Sequence, residues 1–163
     1  MRPLFQTVSM ACCSLALLSL TQCGGSSSDA KGKSPETLNN TLVSIQTGMI
    51  DTELSDIPSI FEVTISGANV TLTTKRNNIV LWNGTGTVLY DKTTHDTGSF
   101  SVSWITDKGN TTTHYTLSIP DLTFQSASHA VSGVQGAIIS YRHANQATQT
   151  LPTTTADISI FPL

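Results

Sequence analysis

Beyond position 23 the sequence contains no cysteine. Its three, Cys12, Cys13 and Cys23, all fall at or before that point in a chain of 163 residues. No disulfide framework and no thiolate metal site can form downstream, so a domain there must be held by packing alone. Charge is sparse as well. Asp, Glu, Lys and Arg make up 12% of the residues, with eight basic against eleven acidic and a formal net charge of −3. A mildly acidic chain without a basic stripe argues against nucleic acid as a partner. After Cys23 no apolar run approaches the roughly 20 residues that a helix needs to cross a hydrocarbon core.

Patterns that carry chemistry are missing in the same way. His95, His114, His129 and His143 sit on four separate segments with no H-x-H or H-E-x-x-H spacing. There is no G-x-S-x-G elbow, S-x-x-K pair or P-loop. Gly84-Thr85-Gly86-Thr87 lacks the lysine and the following helix that would let it cradle phosphate. The expectation is a chain with no catalytic residues, no metal ligands and no cofactor. Ser103 and His114 are expected as cross-strand neighbours, but on an open sheet face without a placed acid or an oxyanion hole.

What the sequence does have is alternation, with Thr and Ser filling the polar positions, as suits the outer face of a sheet. Thr41-Leu42-Val43-Ser44-Ile45 reads as a strand. Ile50, Leu54 and Ile57 follow at helical spacing, with Asp51, Glu53 and Asp56 as the wet face of a short helix or lid. From Ile60 onward three hairpins can be registered. The first turns at Gly67-Ala68, glycine leading as a type II′ turn requires. It pairs Ile65 with Val70, Val63 with Leu72 and Phe61 with Thr74. Thr64 with Thr71 and Glu62 with Thr73 fall on the other face. The second is expected to turn at Asn83-Gly84, pairing Leu81 with Gly86 and Ile79 with Val88. It is apolar on both faces, since Val80, Trp82 and Leu89 point the other way. The third turns near Lys108-Gly109, pairing Trp104 with Thr113, Val102 with Tyr115 and Phe100 with Leu117. Phe100, Trp104 and Tyr115 then share the inward face, where they either fill a core or line a ligand site.

Pro120-Asp121 precedes a further strand at Leu122-Thr123-Phe124. Another is expected over residues 136–141 and a last one over residues 156–161, with Ile158 and Ile160 facing one way. Residues 142–155 are polar and read as an exposed loop. They gather Arg142, His143, Asn145 and Gln146, the place to look if the protein were an enzyme. The fold class is therefore all-β: an antiparallel meander of about eight or nine short strands. A meander of that length removes its edges by closing into a small up-and-down barrel. A two-sheet β-sandwich is the alternative.

The amino-terminal end has a different character. Arg2 is its only charge through position 28, an apolar run extends from Val8 to Leu20, and Gly24-Gly25-Ser26-Ser27-Ser28 follows Cys23. A charged start, a short apolar middle and a small-residue exit are the layout of a secretory signal. Leu20-Thr21-Gln22-Cys23 resembles the lipobox of bacterial lipoproteins, with Gln22 standing where that family prefers Gly, Ala or Ser. The resemblance implies cleavage before Cys23 and fatty acylation of that residue. It divides the chain into a signal peptide (1–22), a lipidated cysteine with a flexible Gly/Ser tether (23–35) and a single β domain (36–163). It also implies attachment to a membrane of the bacterial cell envelope. Gly24, rather than Asp, after the cysteine points to the outer membrane. The function expected is a non-enzymatic domain for binding, scaffolding or envelope structure, with an envelope protein or a small apolar ligand as partner. A lipocalin-like carrier of a small apolar ligand is the alternative, and an enzyme comes third.

Overall fold

Alternation decides which way each strand faces. The computed structural model, which describes residues 33–48 and 57–163, turns that alternation into ten strands. They are β1 (Thr41–Thr47), β2 (Ile60–Ser66), β3 (Asn69–Arg76), β4 (Ile79–Lys92), β5 (Thr97–Lys108), β6 (Thr111–Ser126), β7 (His129–Ser132), β8 (Ile138–His143), β9 (Gln149–Thr150) and β10 (Ala156–Pro162). Every pairing is antiparallel. Cys23, the signal segment, residues 24–32 of the expected tether and the expected helix with Asp51, Glu53 and Asp56 lie outside the described residues.

Eight strands close on themselves in the cycle β1, β2, β3, β4, β5, β6, β7, β10 and back to β1. The pairing of β5 with β6 seals the ring, so the domain is the barrel and not the sandwich. β8 and β9 are additions outside the cycle. β8 lies along the first half of β6, from Thr113 opposite His143 to Ser118 opposite Ile138, and β9 pairs with β8. Residues 142–155 are thus only partly a loop, since Arg142 and His143 end β8 and Gln149 and Thr150 form β9.

The three hairpins fare differently. The first has the expected register residue for residue, with Gly67 at φ 60° leading its turn. The third turns at Gly109-Asn110, two residues off the expected pairing, so Trp104 meets Tyr115 and Val102 meets Leu117. Gly109 has φ 61°, the leading position of a type II′ turn. A slip of two leaves every side chain on its own face, so the inside and outside of this hairpin stand. The second hairpin is elsewhere. The turn is Asn77-Asn78, both with positive φ (50° and 63°), as a type I′ turn demands. Asn83 and Gly84 lie extended inside β4, opposite Thr73 and Leu72. A Cβ on Gly84 would sit 2.6 Å from the Trp82 indole, so the glycine there makes room for a ring.

Two bulges set the phase. Leu81 is the extra residue where Thr74 faces Trp82 but Lys75 faces Val80. In β6, Ile119 faces Phe100 and Leu122 faces Gly98, leaving Pro120 and Asp121 opposite Ser99. Proline has no N–H to give a ladder and is at home in a bulge. The extra residue switches the inward positions from Leu117 and Ile119 to Leu122 and Phe124, all at most 2% exposed. A break expected between two strands is a bend within one. The interior is filled by side chains: Val43, Ile45, Phe61, Val63, Leu72, Val102, Leu117, Ile119 and Ile139 are fully buried.

Residues 33–40 cross the barrel end that carries the β2–β3 and β4–β5 turns. The Ser34 amide donates to the His95 carbonyl at 2.8 Å, and its hydroxyl to the Thr94 carbonyl at 2.7 Å. Leu38 is buried, and the Gly67 amide donates to Asn39 Oδ1 at 2.7 Å. Lys92 pairs with Glu36; its hydrogen bond, then its charge, hold the Glu36 carboxyl below the usual range. The Tyr90 hydroxyl donates to the Pro35 carbonyl at 2.7 Å.

Burial, with the charges of Glu36 and Asp91 adding to it, pushes the Tyr90 pKa up to about 12. The folded state then holds this proton more tightly than the unfolded chain. Its contribution is fully present below about pH 10 and is lost as the pH rises through about 12. Wild type should be more stable than Tyr90→Phe below that window, and the gap should close or reverse across it. Denaturation midpoints of the two proteins against pH check this, and a constant gap would mean that the hydroxyl does not pin the segment.

Candidate functional site

At the barrel end opposite the 33–40 segment, inward positions on five strands bring rings together. Trp104 stacks on Tyr115 with centroids 5.2 Å apart and planes 9° apart. Trp82 adjoins Trp104 at 6.5 Å, Tyr141 adjoins Tyr115 at 6.1 Å, and His143 meets the Tyr141 ring edge-on at 5.5 Å. Phe61 backs Trp104 in an edge contact at 5.7 Å. The row is fixed at its far end by two polar contacts. Tyr141 donates its hydroxyl to Gln149 Oε1 at 2.5 Å, and His143 Nδ1 shares a hydrogen bond with the Thr113 hydroxyl at 2.8 Å.

Of the three residues expected on one inward face, the structure thus joins Trp104 and Tyr115. Phe100 lies apart, opposite Ile119 and 3% exposed. Trp82, Tyr141 and His143 were not among the expected members. Beside the row, Trp82, Trp104, Tyr115, Thr74 and Leu81 border a recess of about 240 Å³.

The outer face of the same wall holds the larger concavity, about 560 Å³. Gly86, Trp104, Tyr115 and Tyr141 stand side by side on β4, β5, β6 and β8 and form its floor, with Trp82 also lining it. Their outward neighbours make two rims. Thr87, Ser103, Thr116 and Ser140 form one, a ladder of hydroxyls across four strands. Thr85, Ile105, His114 and Arg142 form the other, and Thr148 stands at the β8 end. The expected Ser103–His114 contact does not form. The Ser103 hydroxyl shares a hydrogen bond with Thr116 at 3.0 Å, while His114 lies between Ile105 and Arg142 in the opposite rim. Among the described residues no carboxylate borders the groove. Asp107, farther along β5, accepts the Thr112 hydroxyl at 2.6 Å.

The other histidines are dispersed. His129 pairs with Asp157 at 3.1 Å, and the His95 carbonyl receives the Ser34 amide. Among the described residues no three His, Cys, Asp or Glu side chains converge as metal ligands would. No protein-family model, characterised protein or solved structure matches the chain.

Proposed function

We propose that the protein is a lipid-anchored component of the bacterial cell envelope whose barrel is a non-enzymatic binding module. The observation that carries this is Cys23 in its lipobox-like setting, behind a short apolar run and ten positions ahead of Lys33. Residues 33–40 run along one end of the barrel, so an anchor at Cys23 would tether that end. The aromatic row belongs to the other. Over about ten residues a Gly/Ser-rich linker reaches on the order of 17 Å, which would keep the barrel close to the bilayer.

The shape of the barrel favours binding over carrying. Its interior is packed, and the recess at the mouth, about 240 Å³, is below the roughly 300–1,000 Å³ usual for ligand pockets. The outer groove, at about 560 Å³, is within that range.

Replacing the acylated residue tests the anchor. Wild type should incorporate labelled palmitate and sediment with membranes, in a density gradient with outer-membrane markers. Cys23→Ala should take up no label and appear in the soluble fraction. An unlabelled wild type, together with a variant that still sediments, would overturn the reading.

A further inference from the structure

We propose that the groove across β4, β5, β6 and β8 binds a carboxylate-bearing oligosaccharide. The inference rests on the binding role above and names its ligand class.

The first argument is shape. The trough runs across the strands rather than along them. Four strands spaced about 4.8 Å apart give it a length of roughly 14 Å, and rims two residues apart give it a width of roughly 7 Å. That is room for an extended, narrow ligand, not a globular one. In the middle of the floor the strands are paired on both sides, Trp104 with Gly86 and Tyr115, and Tyr115 with Trp104 and Tyr141. A ligand must therefore be recognised by side chains, and this disfavours a peptide, whose own backbone would seek an open strand edge.

The second argument is the chemistry of the rims. Thr87, Ser103, Thr116 and Ser140 offer hydroxyls in a line, and Thr85 and Thr148 add two more. A hydroxyl both donates and accepts, so such a ladder complements a ligand that is itself a string of hydroxyls. Ile105, 49% exposed in the opposite rim beside His114, supplies an apolar surface facing them for the C–H face of a sugar ring. An isolated surface isoleucine would need no explanation. One set among hydroxyls in a groove suits a ligand with both kinds of surface.

Charge supplies the third argument. Arg142 is exposed at one end of the groove and enters no hydrogen bond or ion pair among the described residues. In a chain of net charge −3, a cation in a groove that no carboxylate borders among the described residues marks where an anion is favoured. A guanidinium matches a carboxylate through two parallel hydrogen bonds. A phosphate monoester carries about −1.5 to −2, more than one arginine among neutral hydroxyls balances. A uronic acid carries one charge per sugar, so one residue of an oligosaccharide can meet Arg142 while the carboxylates of its neighbours stay in solvent.

The test is titration calorimetry of the full chain in detergent with trigalacturonate, maltotriose, inorganic phosphate and a triglutamate peptide. Trigalacturonate should bind in the submillimolar range and maltotriose about tenfold more weakly or worse. Arg142→Gln should lose about tenfold for trigalacturonate and nothing for maltotriose. Thr87→Val, also at an exposed position, should weaken both. Backbone amide shifts should move at Thr85, Thr87 and Ser140. No binding of trigalacturonate, unchanged binding by Arg142→Gln, or equal binding of triglutamate or phosphate would overturn the assignment. Shifts confined to Thr74 and Leu81, which border the recess and not the groove, would overturn it too, while leaving a binding role in place. Palmitate labelling at Cys23 is a separate readout, so a failed anchor and a failed groove are told apart.

Discussion

Val102→Asp should cost several kcal/mol of stability, out of a total of about 5–15 for a domain of this kind. Val102 is fully buried in the barrel wall, between Val88 of β4 and Leu117 of β6. Neither neighbour offers a hydrogen bond, so a carboxylate there must stay charged and unpaired, take up a proton, or open the wall. Ser101, one residue away, stands between Leu89 and Ser118 on the outer face. Alternation gives its side chain to water, and Ser101→Asp should change stability by no more than about 0.5 kcal/mol. Chemical-denaturation midpoints of the two variants measure the contrast. Equal losses would mean that both faces of this sheet are buried, and a larger loss at Ser101 would invert its inside and outside.

That contrast was legible in the sequence because it depends on parity alone. Phe100, Val102 and Trp104 alternate with Ser101 and Ser103, and the two-residue error in the β5–β6 register left the sorting untouched. The β2–β3 hairpin was legible in full, since Gly67 supplies both the turn and the left-handed φ. β4 was not. Asn83-Gly84 is the stronger local turn signal, and the choice between it and Asn77-Asn78 is made by packing. With the turn at Asn77-Asn78, one long strand sends Trp82, Val88 and Tyr90 inward, against Trp104, Val102 and Phe100 or their neighbours. Bulges at Leu81 and at Pro120-Asp121 change the phase inside a strand, which a strict two-residue period cannot register.

The candidate site was legible only where its parts are close in sequence. Trp104 and Tyr115 share a hairpin, and so do Ser103 and Thr116. Tyr141, His143, Ser140 and Arg142 reach the site because β8 returns to β6 past the intervening β7. No local pattern encodes that choice. What recommends it physically is Ile139, fully buried opposite Leu117, which sets the parity of the whole strand. Once Ile139 faces inward, Tyr141 and His143 must join the ring row while Ser140 and Arg142 face the groove.

Trp104→Ala should be the most damaging truncation at the aromatic end. The indole is 4% exposed and touches three other rings: Phe61, Trp82 and Tyr115. Removing a buried tryptophan costs about 3–5 kcal/mol in transfer and cavity terms. Each lost ring pair adds about 0.5–1.5 kcal/mol beyond area. The neighbours have little means to collapse into the space. Phe61 is held in the packed interior, and Tyr141 at the far end of the row is tied to Gln149. Leu89→Ala, at a side chain 70% exposed on the outer face, is the control and should stay within about 0.5 kcal/mol. Denaturation midpoints compare the two, and near-ultraviolet circular dichroism of Trp104→Ala should lose the signal of the stacked pair. A loss no larger than that of Leu89→Ala would mean the ring row is not what holds this end of the barrel shut, and that Trp82 and Tyr115 are positioned by their own strands alone.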